Sequence, residues 1–230
     1  VTSRLASVPT ERMHLWLMLL LTFGTGIVDA VGYLGLDRVF TGNMTGNVVI
    51  LGMALVGGDG LPVLGPVLAL VGFMAGAALG GRVLKRAAGA WTRRTTWLFL
   101  LVAVVCIALA VVLLVDDEPT RAVQVTVTTL LGAAMGVQAA TARFIAVKDV
   151  TTVVVTSTIT GLAADSVLGS GKGGGSARRA LAVVLILAGA AAGAALLHWH
   201  LGAGLLLAGA VILVATLVGA LHARAVAAGA

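Results

Sequence analysis

Charge is what this sequence has least of: 10% of its 230 residues are Asp, Glu, Lys or Arg, against about 25% in an ordinary soluble domain. With 60% of the chain hydrophobic and a mean hydropathy of +1.10, too few polar side chains remain to coat a water-soluble fold, so soluble classes are excluded. Aromatics are also scarce, at 4%. The apolar mass is Ala, Val, Leu and 31 Gly, small side chains that let helix backbones approach closely in lipid. Cys106 is the single cysteine, which rules out an intrachain disulfide and suits a buried filler. No Ser-His-Asp set, metal cluster or pair of catalytic acids stands out, so no enzymatic activity, cofactor or metal is expected. His198 and His200 flank Trp199 without a third ligand nearby, and the trio suits a membrane–water boundary.

Long hydrophobic runs are what the sequence has in abundance. Crossing a hydrocarbon core of about 30 Å takes about 20 apolar residues in a helix. Segments 13–36, 61–81, 95–115, 122–142, 180–197 and 201–221 meet that requirement, and Asp29 in the first is their sole charge. The first run exceeds the 7–15-residue core of a signal peptide and is expected to stay in the mature protein. Two further stretches, 41–57 and 150–164, are shorter and more polar. Their behaviour decides the topology.

The net charge of +6 comes from basic residues scattered among short loops, not from a stripe, so nucleic acid is not a partner. Lys and Arg concentrate in cytoplasmic loops. If both short stretches crossed the membrane, the basic residues would divide almost evenly between the two sides. If each dips in and returns, all 15 basic residues except Arg38 and Arg121 fall on one side. The charge bias therefore predicts an all-α integral membrane protein with six transmembrane helices, two short re-entrant or broken segments and both termini cytoplasmic. The order of long and short segments repeats with opposite starting sides, a 3+3 inverted repeat of the kind many secondary transporters use. The expected organisation is an N-terminal tail (1–12), a first repeat (13–115), an extracytoplasmic connector (116–121), a second repeat (122–224) and a C-terminal tail (225–230). Gly171 to Ser176 reads as a flexible connector by composition, lacking the Gly and Ser/Thr positions of a phosphate-binding loop.

Phe40 to Asn47 (FTGNMTGN) carries the densest polar pattern. Gly42 and Gly46 permit unusual backbone angles, and Thr41, Asn43, Thr45 and Asn47 supply donors and acceptors. Such a segment survives at membrane depth only when buried in protein or lining a wet cavity; the alternative is a loop leading into an N-capped helix. Asp29 inside the first span is a candidate proton carrier or cation ligand, or else a structural partner of a neighbour such as Tyr33. Gln138 and Arg143 flank the end of the fourth long span, where Arg143 either meets an anion or snorkels to the interface. Thr152, Thr156 and Thr160 share a helix face and either form an inward polar stripe or bond their own backbone. Gly72, Gly76 and Gly80, Gly132 with Gly136, and Gly189 with Gly193 form small-residue ridges that report packing.

Asp29-Ala30, Tyr33-Leu34 and Val39 to Asn47 together resemble the opening signature of the YoaK-like bacterial membrane proteins, a family of unknown function. Met135 to Ala140, Arg143, Val150 to Thr152 and Thr158 to Thr160 resemble its second signature, with Ser157 in place of an expected Gly. The resemblance covers most of the chain and implies about six spans in a bacterial inner membrane, with no substrate assigned. The expected function is a secondary transporter or channel-like permease for a small polar or ionic solute, its site drawn from Asp29, Tyr33, Thr41, Asn43, Thr45, Asn47, Gln138, Arg143, Thr152, Thr156 and Thr160. The rival is a non-transporting scaffold or accessory subunit. The expected partners are the lipid bilayer and that solute or ion, with room for a homo-oligomer.

Overall fold

A computed structural model describes residues 7–58, 60–88, 91–116, 118–147, 155–171 and 175–229. Eight helices run through them: α1 (Thr10–Gly35), α2 (Met44–Leu55), α3 (Leu64–Leu84), α4 (Arg93–Val115), α5 (Arg121–Ile145), α6 (Val155–Ala164), α7 (Ser176–Leu197) and α8 (Leu201–Gly229). Six are long and apolar enough to cross a membrane. No strand occurs among the described residues, and the protein is an all-α integral membrane protein, because only an intrahelical ladder satisfies backbone polar groups in lipid without a closed barrel. The helices start where the chemistry favours it. Thr92 and Thr95 form a reciprocal capping box at α4, and Asn43 caps α2 by accepting from Gly46 N–H at 3.2 Å. α3 begins three residues later than the hydrophobic run predicts, with Pro66 in its first turn, where a missing N–H costs nothing. The last helix, α8, extends to Gly229.

The 12 residues of α2 and 10 of α6 span about 18 and 15 Å at 1.5 Å per residue, roughly half a bilayer core. The ends of their neighbours show that neither segment carries the chain across. At the C-terminal end of α1, a Cβ added to Gly65 at the start of α3 would sit 2.7 Å from Val39 and 3.1 Å from Asp37. Asp37 also reaches Arg121 at the start of α5 (3.9 Å). The chain thus leaves α1 and enters α3 at the same face. At the opposite face, Leu84 of α3 and Arg143 of α5 line one hollow, while His14 of α1 and His222 of α8 line another. α7 runs parallel to α1, because Gly189 abuts Phe23, Gly193 abuts Ile27, and Gly35 abuts Leu197. Residues 146–175 therefore also begin and end at one face.

Small residues set the closest packing. α3 lies on α5 and α1 on α7, the two broadest helix pairs. A Cβ on Gly132 would come within 2.7 Å of Ala69 O, and one on Gly193 within 2.8 Å of Ile27 O. The Gly ridges read from the sequence are the surfaces that make these pairs. α1 and α5 form the buried centre, and α4 packs on α8. Exchanging every helix for the one four places along (α1 for α5, α2 for α6, α3 for α7, α4 for α8) leaves the set of contacting pairs unchanged. Within the long helices, Thr22, Thr25, Thr141 and Thr216 donate to their own helix four residues back, as Thr22 does to Met18 O (2.9 Å) and Thr216 to Ile212 O (2.7 Å), so these hydroxyls need no water.

Candidate functional site

Asp29 sits one and a half turns before the end of α1, and the chain folds back onto it. Its Oδ1 accepts three backbone N–H groups, from Thr41 (2.9 Å), Gly42 (2.6 Å) and Asn43 (3.3 Å). These amides precede the first turn of α2, where unpaired N–H groups and the helix dipole favour an anion. Asp29 thus seats a carboxyl oxygen at a helix N-terminus, in a setting that suits an anion. Gly42 is required by the approach: a Cβ there would lie 2.9 Å from the Thr25 methyl and 3.4 Å from Asp29 Oδ1.

Asn47 holds the other side of the same turn. Its Oδ1 accepts from Phe40 N–H (2.9 Å) and its Nδ2 donates to Phe40 O (2.6 Å), so the buried amide pairs with both backbone groups of one residue. That fixes the Phe40 ring, which stacks on Tyr33 with centroids 4.7 Å apart. The FTGNMTGN segment is therefore a rigid plug pinned at two points to itself and to α1.

Beside the plug lies a cavity of about 700 Å³. Asp29, Tyr33, Asn43, Thr45 and Thr156, all candidates from the sequence, line it. They come from α1, α2 and the start of α6, so the first turns of both short helices open onto one space. Thr41 and Asn47 are buried behind this surface and serve the plug rather than the cavity. Gln138, fully buried on α5, donates to Thr25 Oγ1 (3.1 Å) and so supports a lining residue from behind. Thr152 lies outside the described residues.

Two expected members stand apart. Arg143 is exposed and lines a separate hollow of about 390 Å³ with Gly81, Leu84 and Lys85, because the end of α5 lies at the opposite face from Asp29. Thr160 is exposed and donates to Thr156 O (2.9 Å). The buried residue of α6 is Thr158, 7% exposed, about 200° around the helix from Thr156; of the expected stripe, Thr156 reaches the cavity and Thr160 does not. Beyond α6, Asp165 pairs with Arg179 at 2.7 Å, and Arg179 donates to Gly161 O at 2.8 Å, tying the end of α6 to α7.

Thr25, Val49, Ile50, Val155 and Ile186 also line the cavity without having been singled out in the sequence. Thr25 was findable, since it lies four residues before Asp29 on the same helix face. Ile186 was not, because only tertiary packing brings α7 there. On the far side of the Tyr33–Phe40 stack, an apolar groove of about 630 Å³ between α1 and α7 also reaches Asp29. The carboxyl group therefore stands between a mixed cavity, whose wall carries several polar side chains, and a groove that is almost wholly apolar.

A bundle of six long apolar helices, with a membrane-embedded carboxyl group bound by the turn before α2 and a cavity lined by the first turns of both short helices, defines a polytopic membrane protein. The chain belongs to the family described as protein of unknown function (DUF1275), whose model matches residues 17–219. It is similar to the UPF0700 transmembrane protein YoaK of Bacillus subtilis (strain 168), 30% identical over 151 residues. That match spans 65% of this chain and 65% of the relative's own length. No solved structure matches the chain.

Proposed function

We propose that this protein is a secondary transporter or channel-like permease for a small polar or ionic solute, built as a 3+3 inverted repeat in a bacterial inner membrane with both termini in the cytoplasm. The observation that carries the reading is the cavity of about 700 Å³ lined by Asp29, Asn43, Thr45 and Thr156, onto which short helices from both halves of the chain open. Transporters of the inverted-repeat class bind substrate where broken helices converge near the midplane. The pairwise exchange of helices, together with opposite chain directions in α1 and α5, supports the repeat. The basic residues at the face where α1 begins, among them Arg12, Lys85, Arg93, Arg143 and Arg224, support the orientation.

Coupling follows from the seat of Asp29. While ionised, the carboxylate holds the three amides that lead into α2. A proton or a bound cation weakens that hold, releasing the 41–43 turn and changing the cavity it borders. Ion binding and solute access are then one event.

A scaffold or accessory subunit is the second reading, favoured by the fact that Asp29 Oδ1 and the Asn47 amide are already spent on backbone partners. Uptake of radiolabelled polar solutes into proteoliposomes separates the two. Thr45 and Thr156 line the cavity, and both are exposed. Transport predicts that a Thr45→Val, Thr156→Val double variant folds normally and loses about tenfold or more of the uptake, on the order of 1.4 kcal/mol. Wild-type protein that folds, reconstitutes and moves no solute above protein-free vesicles would leave the scaffold reading in place.

A further inference from the structure

At the opposite face from Asp29, the N-terminal end of α4 and the C-terminal part of α8 enclose a hollow of about 650 Å³. Its rim carries two guanidiniums, Arg93 and Arg224, together with Thr92 and Trp91. Neither guanidinium has a carboxylate within ion-pairing distance among the described residues, and no acidic side chain lines the hollow. Both side chains are exposed, so their charge is available to a ligand.

Polarity changes in one direction along the hollow. Arg93 heads α4, Thr96 lies one turn in, and Leu100 lies about 10 Å in at 1.5 Å per residue. On the facing wall, Arg224 is followed inward by Ala220, about 6 Å deeper. Trp97, 58% exposed, stands between these levels on the outer surface, where an indole marks the headgroup region. Charge, then hydroxyl, then hydrocarbon is the order of phosphate, glycerol ester and acyl chain in a phospholipid. A free phosphate needs only the first of these.

We infer that this hollow is a binding site for one anionic phospholipid of the cytoplasmic leaflet, its phosphate between Arg93 and Arg224 and an acyl chain along Leu100 and Ala220. Basic pockets between helices on the cytoplasmic side are a recognised way of holding such headgroups, and paired guanidiniums match phosphate geometry. α4 and α8 are broadly packed on each other, so a lipid seated across their ends clamps the pair where one copy of the repeat meets the other. The site is separate from the Asp29 cavity and does not depend on what that cavity carries.

Native mass spectrometry of the full chain from detergent, titrated with phosphatidylglycerol, phosphatidylcholine or inorganic phosphate, tests this. One phosphatidylglycerol is expected to be retained at least tenfold more tightly than phosphatidylcholine, with no competition from millimolar phosphate. The Arg93→Gln, Arg224→Gln double variant should lose that preference, whereas Arg12→Gln with Lys85→Gln, at the same face but outside the hollow, should keep it. Leu100→Trp, which fills the acyl end and leaves both arginines, should weaken retention about tenfold. The inference is overturned by an unchanged preference in the Arg93/Arg224 variant, an equal loss in the Arg12/Lys85 variant, or displacement by inorganic phosphate. If the double arginine variant does not fold, Leu100→Trp decides alone: unaltered retention there refutes the site.

Discussion

Asp29 does two jobs that call for different substitutions. As an acceptor it satisfies three N–H groups, those of Thr41 and Gly42 part-buried and that of Asn43 exposed, and a buried donor left unpaired costs about 1–3 kcal/mol. As a charge it is a candidate for ion coupling. Asn keeps a carbonyl oxygen for the amides, and Ala does not. Thermal unfolding in detergent is expected to show Asp29→Ala destabilised by several kcal/mol, on the order of two or three lost partners, with Asp29→Asn much closer to wild type. Equal damage from both would mean that charge, not acceptance, holds the turn. The polar density of FTGNMTGN marked the right place in the sequence. What it hid was the division of labour, with Asn43 and Thr45 facing the cavity while Thr41 and Asn47 face the plug, because residue type alone does not say which neighbour an amide will find.

Among the elements, the α3–α5 and α1–α7 pairs rest on glycine. A Cβ on Gly136 would press on Phe73 O and lie 2.9 Å from Ala77 N, whereas one on Gly81 would meet nothing within 4 Å. Backbone atoms cannot rotate away as side chains do, so Gly136→Val is expected to cost about 1–3 kcal/mol or more through overpacking. Gly81→Val should cost only tenths. Unfolding midpoints or monodispersity on gel filtration compare the two, and equal effects would show that the close approach of α3 to α5 does not matter. These ridges were legible because small residues spaced by four mark one helix face. The inward face of α6 was not. Thr156 and Thr160 do lie on one side of that helix, yet the neighbouring helices, not the spacing, decide which side is buried, and they bury Thr158. Arg143 fails for a related reason: the sequence put it at the end of the fourth span, but only the packing shows that this end lies at the opposite face from Asp29.

For the whole molecule, the two short helices decide the topology, and accessibility from each side can read it. In a Cys106→Ala background, Val56→Cys and Ser170→Cys place one thiol at the end of α2 and one in the turn after α6, both exposed. Six crossings with cytoplasmic termini predict that an impermeant maleimide labels position 56 from outside and position 170 from inside. Eight crossings would put both on the same side. Composition and loop charge by themselves determined the membrane, the number of crossings and the two segments that do not cross, because hydrophobic length and the positive-inside bias act on each segment separately and are written locally. Only the tertiary structure decided that α1 pairs with α7 rather than with α3, that the starts of α2 and α6 share one cavity, and that Asp29 is held by the amides beyond its own helix. Those are contacts between distant parts of the chain, chosen by which glycine surfaces fit together, and no local pattern encodes that fit.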